Sequence, residues 1–226
     1  MKQVSAVFFD VDFTLIYPGP VLQAEGHRAF CDRHGVAIDP SRWDEAVRGA
    51  SSLLHSGDQL YDAQIFIDYT AKIIEGMGGT GPGVDPASRE IYDEWAACHH
   101  FSLYDDVAAT LMRLHREGYR IGLISNTHRC LTSFQSHFAL EGLISAAVSS
   151  SAHGYMKPHP SIFEAALTLA GVSAAESVMV GDSYAHDIAG AEAIGMRGIL
   201  IARGPHPAES PACPVVSSLD GIFEHL

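Results

Sequence analysis

The stretch Val7–Leu15, VFFDVDFTL, carries the reading of the fold. An apolar, β-prone run stops at two aspartates, Asp10 and Asp12, which are separated by one residue and followed by Phe13 and Thr14. In an extended chain alternate side chains point the same way, so the two carboxylates share one side of a strand end. There they repel each other and lose hydration. A cation, a shared proton or plain solvent has to offset that cost.

Similar short runs recur along the chain at Ala6–Phe9, Ile121–Ile124, Ala146–Val148, Ser177–Val180 and Gly198–Ile201, with a weaker one at Val215–Val216. From residue 100 onward they alternate with helical patterns. Val107–Glu117 is stopped by Gly118, Ser161–Ala170 by Gly171, and Ile188–Ile194 by Gly195. Strands alternating with helices at this spacing mean βαβ units, a parallel sheet and helices on both faces. Between the first two strands the rhythm fails. Residues from Pro18 to His99 show helical patterns at Val21–His34, Trp43–His55 and Gln59–Glu75, then the break GMGGTGPG, and no convincing strand. Roughly 80 residues is too long for a crossover, and a separate inserted helical subdomain accounts for it, hinged at Ile16–Pro20 and His99–Tyr104. The expected fold is therefore an α/β, three-layer, Rossmann-like parallel-sheet core, residues 1–16 and 100–226. The inserted α-helical domain spans 17–99.

Composition bounds the function. The chain has 226 residues, 47% hydrophobic and 18% charged, an ordinary globular balance with room for one substantial core and a smaller companion. A formal net charge of -13 argues against nucleic acid or an anionic membrane as partner. An anionic ligand therefore needs local positive charge. Cys31, Cys98, Cys130 and Cys213 form no CxxC pair, which favours reduced thiols. Charge within the opening MKQVSAVFFDVDFTL leaves no evident signal peptide, and no apolar run approaches the roughly 20 residues of a bilayer span. The expectation is a cytoplasmic protein, monomer or homodimer, with no membrane or nucleic-acid partner.

In a parallel sheet ligands bind beyond the carboxyl ends of the strands. Four polar clusters fall there or in a loop just after: Asp10/Asp12, Ser125–Asn126, Lys157–Pro158, and GDSYAHD with Asp182 and Asp187. In that order they resemble the haloacid dehalogenase-like hydrolases. DVDFTL is similar to the DxDxT first motif, ISN to the second, the lysine of KP to the third and VGDSYAHD to the fourth. The insert occupies the position of the helical cap carried by one branch of that family.

The resemblance implies a Mg²⁺-dependent phosphatase acting on a small phosphorylated metabolite through an aspartyl-phosphate intermediate. Attack on a phosphoryl group by a carboxylate requires the group's negative charge to be neutralised. Asp10 is then the nucleophile and Asp12 the general acid and base, a role that requires a raised pKa. Asp10, Asp182 and the Asp12 backbone carbonyl are implied Mg²⁺ ligands, with Asp187 orienting the metal site, in keeping with the preference of this cation for oxygen. Lys157 supplies positive charge, and Ser125, the Asn126 backbone N–H and Thr14 face phosphate oxygens. Ser125–Asn126 equally suit the cap of a helix beginning near Thr127, and Ser183 reads as a capping residue. His159 heads a helix with Pro160 in its first turn, the alternative being a Ser161–Glu164 capping box. His99 and His100 are expected to face solvent.

Competing readings are a phosphomutase, which shares all four motifs; a carbon–halogen hydrolase, disfavoured by Asp12; and a non-catalytic binding module, disfavoured by the intact nucleophile and lysine. Phe13 stands where the family most often has glycine. The residue type implies an ordinary backbone with φ below zero, its ring packing toward Ile16 and Tyr17 rather than into the sheet core.

Overall fold

The structure is a computed structural model that describes residues 4–55, 59–204 and 212–226. The chain divides into two units, one formed by residues 1–17 and 103–226 and the other by residues 18–102. Strands are β1 (Ala6–Phe9), β2 (Ile16–Pro18), β3 (Phe101–Leu103), β4 (Arg120–Ser125), β5 (Ile144–Ser149), β6 (Ser177–Gly181), β7 (Arg197–Ile201) and β8 (Val215–Val216). Helices are α1 (Ala24–Arg33), α2 (Trp43–Ala50), α3 (Ala63–Gly76), α4 (Val84–Trp95), α5 (Val107–Arg116), α6 (Leu131–His137), α7 (Ser150–His153), α8 (Pro160–Ala170) and α9 (Ala189–Ala193). Among the described residues no helix is long and apolar enough to cross a membrane.

The first unit is built on a six-stranded sheet in the order β5-β4-β1-β6-β7-β8, parallel throughout. All four residues of β1 are fully buried, and because successive side chains face opposite sides, both faces of the sheet are covered. On one face Phe8, Ile124, Val148 and Met179 pack against Ile162, Phe163 and Ala166 of α8. Each such buried side chain contributes roughly 1.5–3 kcal/mol. Phe8 lies in register with Gly122 of β4, and a Cβ on Gly122 would sit 2.2 Å from the Phe8 ring. The glycine therefore makes room for the aromatic across the strand pair. Helix α8 opens as the sequence allows: His159 is the N-cap, its ring accepting a hydrogen bond from the Ser161 N–H at 3.2 Å, with Pro160 in the first turn. It closes on Gly171 in the left-handed region, φ 65°.

Strand β1 sits between β4 and β6, so the chain leaves it in one direction and returns on its other side. This reversal opens a crevice at the carboxyl ends of β1, β4 and β6, where an α/β sheet places its ligands.

The second unit is helical. Phe30, Cys31, Val36, Ile74, Val84, Ala87 and Ile91 form one cluster and Ala46, Ala50, Ile73 and Met77 another. Helix α4, which follows the glycine-rich break, tolerates Pro86 because that residue lies in the first turn, where no intrahelical partner is lost. Pro20 heads a short 3₁₀ turn, and α1 accordingly begins at Ala24 rather than Val21.

Candidate active site

Strand β1 delivers Asp10 to the crevice. Its N–H donates to the Val180 carbonyl at 2.9 Å, fixing it to the neighbouring strand. Its carboxylate meets Lys157, whose Nζ donates to Asp10 Oδ1 at 2.5 Å and to Asp187 Oδ1 at 2.6 Å. All three side chains are almost wholly buried. Burial raises the Asp10 pKa to about 6 and Asp187 pushes the same way, both against the attraction of Lys157. For Lys157 burial disfavours the charge, but the two carboxylates outweigh it and hold the ammonium above its usual range.

A pair of amide contacts places this lysine. The Asn126 side-chain amide donates to the Lys157 carbonyl at 3.0 Å, and the Lys157 N–H donates to Asn126 Oδ1 at 2.7 Å. The second motif thus clasps the loop that carries the third, across a cis Lys157–Pro158 bond. The expected helix at Thr127 is not there: residues 126–130 are a loop and α6 begins at Leu131. The loop holds its own polar groups, Thr127 Oγ1 accepting from the Arg129 N–H at 3.1 Å and the Thr127 carbonyl from the Ser151 N–H at 3.3 Å. Such local hydrogen bonds compete with helix formation.

Beyond β6, residues Tyr184–Ile188 make one wide turn of π type, and α9 follows within the helix expected at Ile188–Ile194. Ser183 caps this turn, its side chain accepting from the His186 N–H at 3.3 Å. Asp187 Oδ2 accepts from the Ser183 N–H at 3.0 Å. A Cβ on Gly181 would stand 2.2 Å from Asp187 Oδ2, so this glycine is what lets the carboxylate fold back against the strand end. Asp182 is an exposed residue, yet desolvation of its carboxyl group by the surrounding protein and the proximity of Asp10 and Asp187 raise its pKa above the ordinary range. Asp10, Asp182 and Asp187 each offer an oxygen within 4.8 Å of the others'. An all-oxygen, anionic donor set suits a hard divalent cation.

Asp12 parts company with Asp10. Its two carboxylate oxygens each accept from Arg129 Nη1 at 3.1 Å, and the Arg129 side chain is fully buried. Burial raises the Asp12 pKa, with Arg129 pulling it down and Asp10 pushing it up. The next residue corrects an expectation. Phe13 has φ 63°, in the left-handed region, because the chain turns sharply there: the Val11 carbonyl accepts from both Leu15 N–H at 2.8 Å and Ile16 N–H at 3.1 Å, while the Phe13 N–H donates to the Ile16 carbonyl at 2.7 Å. The turn demands the geometry and phenylalanine tolerates it at a cost of about 1–2 kcal/mol. Phe13 is 44% exposed and stays out of the sheet core.

Thr14 and Ser125 are buried, and their hydroxyls have no hydrogen-bond partner among the described residues. Buried polar atoms are rarely left so, and two of them beside the Asp10 strand end are what an anion's oxygens would satisfy. The Thr14 carbonyl is held by Arg203, through Nε at 3.0 Å and Nη2 at 2.8 Å. Arg203 also forms a two-pronged pair with Asp106 and lies over the Tyr104 ring at 3.8 Å. Sequence reading overlooked both arginines. Arg203 lies in no motif; Arg129 lies four residues after Ser125, and only its charge in an otherwise polar strand-end loop marks it. In the helical unit His100, expected to face solvent, is only 13% exposed and pairs with Glu94 at 2.7 Å. His99 is exposed beside it.

The chain is 28% identical to haloacid dehalogenase-like hydrolase domain-containing protein 3 of Bos taurus, over 92% of its own length and 85% of the relative's. It is 26% identical to a glyceraldehyde 3-phosphate phosphatase of Pyrococcus furiosus, over 91% and 84%. The crystal structure of a HAD phosphatase from Thermococcus onnurineus shares the fold, with TM-score 0.68 and 21% identity over 98% of this chain and 97% of that one. The family model for haloacid dehalogenase-like hydrolases matches residues 4–195, a range that contains β1 through α9. The chain belongs to the haloacid dehalogenase-like hydrolase family.

Proposed function

We propose that this hydrolase is a phosphatase that cleaves a small phosphorylated metabolite through a phosphoryl group carried on Asp10. The observation that carries the reading is the buried Asp10–Lys157–Asp187 array at the central strand end, next to the unpartnered hydroxyls of Thr14 and Ser125. A nucleophilic carboxylate, a fixed cation and two free donors are the groups that phosphoryl transfer requires. The relatives named as phosphatases support the same class, and the triose phosphate in one name makes sugar and triose phosphates the first substrates to screen.

In the first step an Asp10 oxygen forms a bond to phosphorus as the ester P–O bond breaks. The electron pair leaves on the ester oxygen, which takes a proton from Asp12. In the second step Asp12 removes a proton from water, whose oxygen bonds to phosphorus. The Asp10–phosphorus bond breaks, regenerating the Asp10 carboxylate and releasing inorganic phosphate. Lys157 holds Asp10 in place and offsets negative charge on the transferring group. Ser125, the Asn126 N–H and Thr14 bind its oxygens, and Asn126 positions Lys157 from behind. Mg²⁺ held by Asp10, Asp182 and the Asp12 carbonyl, with Asp187 orienting the site, would supply further charge neutralisation at the phosphoryl group. The helical segment 17–99 is assigned, on the family resemblance, the reading of the leaving group.

The test is phosphate release by the wild-type chain and by Asp10→Asn, with Mg²⁺ and with EDTA. Sustained release without a sugar bisphosphate identifies hydrolysis rather than mutase turnover. Asp10→Asn should fold and be inactive, and EDTA should silence the wild type reversibly; a fully active Asp10→Asn protein would falsify the mechanism.

A further inference from the structure

We propose that Arg129 is a positioning residue that holds the Asp12 carboxyl group for proton transfer to and from the reacting oxygens. The inference rests on the phosphatase reading above and goes beyond it, since Arg129 lies outside all four motifs.

Arg129 is among the largest side chains in the protein that are fully buried. Burying a guanidinium costs several kcal/mol, and an apolar side chain of like volume would serve stability as well or better. The charge therefore calls for partners, and Asp12, 117 positions away in sequence, is one of them. One nitrogen, Nη1, lies 3.1 Å from both Asp12 oxygens, which restricts rotation of the carboxylate about its Cβ–Cγ bond. The backbone that presents the guanidinium is itself tied down. The Arg129 N–H donates to Thr127 Oγ1, and the Thr127 carbonyl accepts from the Ser151 N–H and from Ser150 Oγ at 3.4 Å. On the other side Asp12 is followed by the left-handed turn at Phe13. Without a fixed partner, a short side chain beside such a turn would sample several rotamers, and proton transfer is sensitive to misplacements of about 1 Å.

The arrangement also divides labour between two buried cations. Lys157 engages Asp10, and Arg129 engages Asp12. Two carboxylates one residue apart are thereby kept on separate tasks rather than sharing one proton or one cation.

The distinguishing experiment varies the leaving group. An alkyl phosphate needs a proton on its departing oxygen, whereas p-nitrophenyl phosphate departs well without one. Positioned acid catalysis contributes on the order of 10²–10⁴-fold. Arg129→Ala should therefore lower kcat/KM on the alkyl phosphate, which reports the acid-assisted first step, by about 100-fold, while kcat/KM on p-nitrophenyl phosphate falls only slightly and its kcat falls with the shared second step, which has lost its positioned base. Arg129→Lys, which keeps a cation and guards against a folding defect, should show the same pattern in weaker form. Added guanidinium ion at concentrations well below denaturing should restore part of the Arg129→Ala loss. In an Asp12→Asn background, Arg129→Ala should cost almost nothing further, because both changes remove one function. Equal losses of kcat/KM on both substrates, or a full additional loss on top of Asp12→Asn, would overturn the proposal and leave Arg129 a structural ion pair, with the phosphatase reading intact. Full alkyl-phosphate turnover by Asp12→Asn would overturn the acid–base reading and this inference with it.

Discussion

Replacing Lys157 by methionine tests the electrostatic heart of the site. The substitution keeps the volume of the side-chain stem and removes the ammonium that lies 2.5 Å from Asp10 and 2.6 Å from Asp187. Both carboxylates stay buried, now facing each other with their shared cation gone. Breaking a buried pair by deleting one partner costs about 3–5 kcal/mol, because a desolvated charge is left behind. For a chain of this size that corresponds to a fall in Tm of roughly 6–20 °C.

The sign of the pH dependence follows from Asp10. Its carboxyl already sits above the ordinary range in the folded state, at about 6 against 3.8, chiefly through burial. An acid with a raised folded pKa favours the folded state below its unfolded pKa and loses that contribution as pH rises through the folded value. Without Lys157 the pKa rises further, so the penalty should be largest near neutral pH and shrink as acid neutralises one carboxylate. The measurement is urea unfolding in EDTA at about pH 7.5 and about pH 5. Both tryptophans, Trp43 and Trp95, lie in the helical unit, so their emission would follow the wrong part of the chain. Far-UV circular dichroism with amide exchange in β1 is the better probe. Lys157→Met/Asp187→Asn should recover a large part of the loss. A penalty below about 1 kcal/mol near neutral pH, or one that grows on acidification, would refute the reasoning.

Two further outcomes follow from the same geometry. At Phe13 the sign of a glycine–alanine comparison reports the backbone: at an ordinary position glycine is less stable than alanine by about 0.5–1 kcal/mol, whereas at φ 63° Phe13→Gly should be more stable than Phe13→Ala by about 1 kcal/mol, and the reverse order would mean that the left-handed turn is not adopted. In EDTA the stability of wild type relative to Asp182→Asn should fall as pH rises from about 4 through 6 and above, since Asp10 and Asp182 both hold protons more tightly when folded, and excess Mg²⁺ should flatten that trend. A curve indifferent to Mg²⁺ would argue against a cation on these carboxylates.

Much of the framework was legible from local pattern. Parallel strands buried on both faces are short apolar runs, and helices between them carry 3–4 spacing closed by glycine, as at Gly118 and Gly171. Aspartates at strand ends, and a lysine followed by proline, are visible because residue type and spacing are local quantities. What remained hidden depended on partners distant in sequence. The loop at residues 126–130 replaces a helix because Asn126 is engaged by Lys157 and Thr127 by Ser150 and Ser151. The turn at Phe13 is left-handed because Val11, Leu15 and Ile16 close around it, whatever the residue's own preference.

The pair of aspartates in VFFDVDFTL draws the boundary between the two kinds of knowledge. Alternation along the strand and the motif order placed Asp10 and Asp12, without coordinates, at the mouth of a parallel sheet, with a cation, a shared proton or solvent left to offset their charge. Only the tertiary structure decided how that charge is offset: Lys157 reaches Asp10 from the loop between α7 and α8, and Arg129 reaches Asp12 from the loop after β4. Electrostatic partners are selected by distance in space, and strand order, not sequence order, sets that distance.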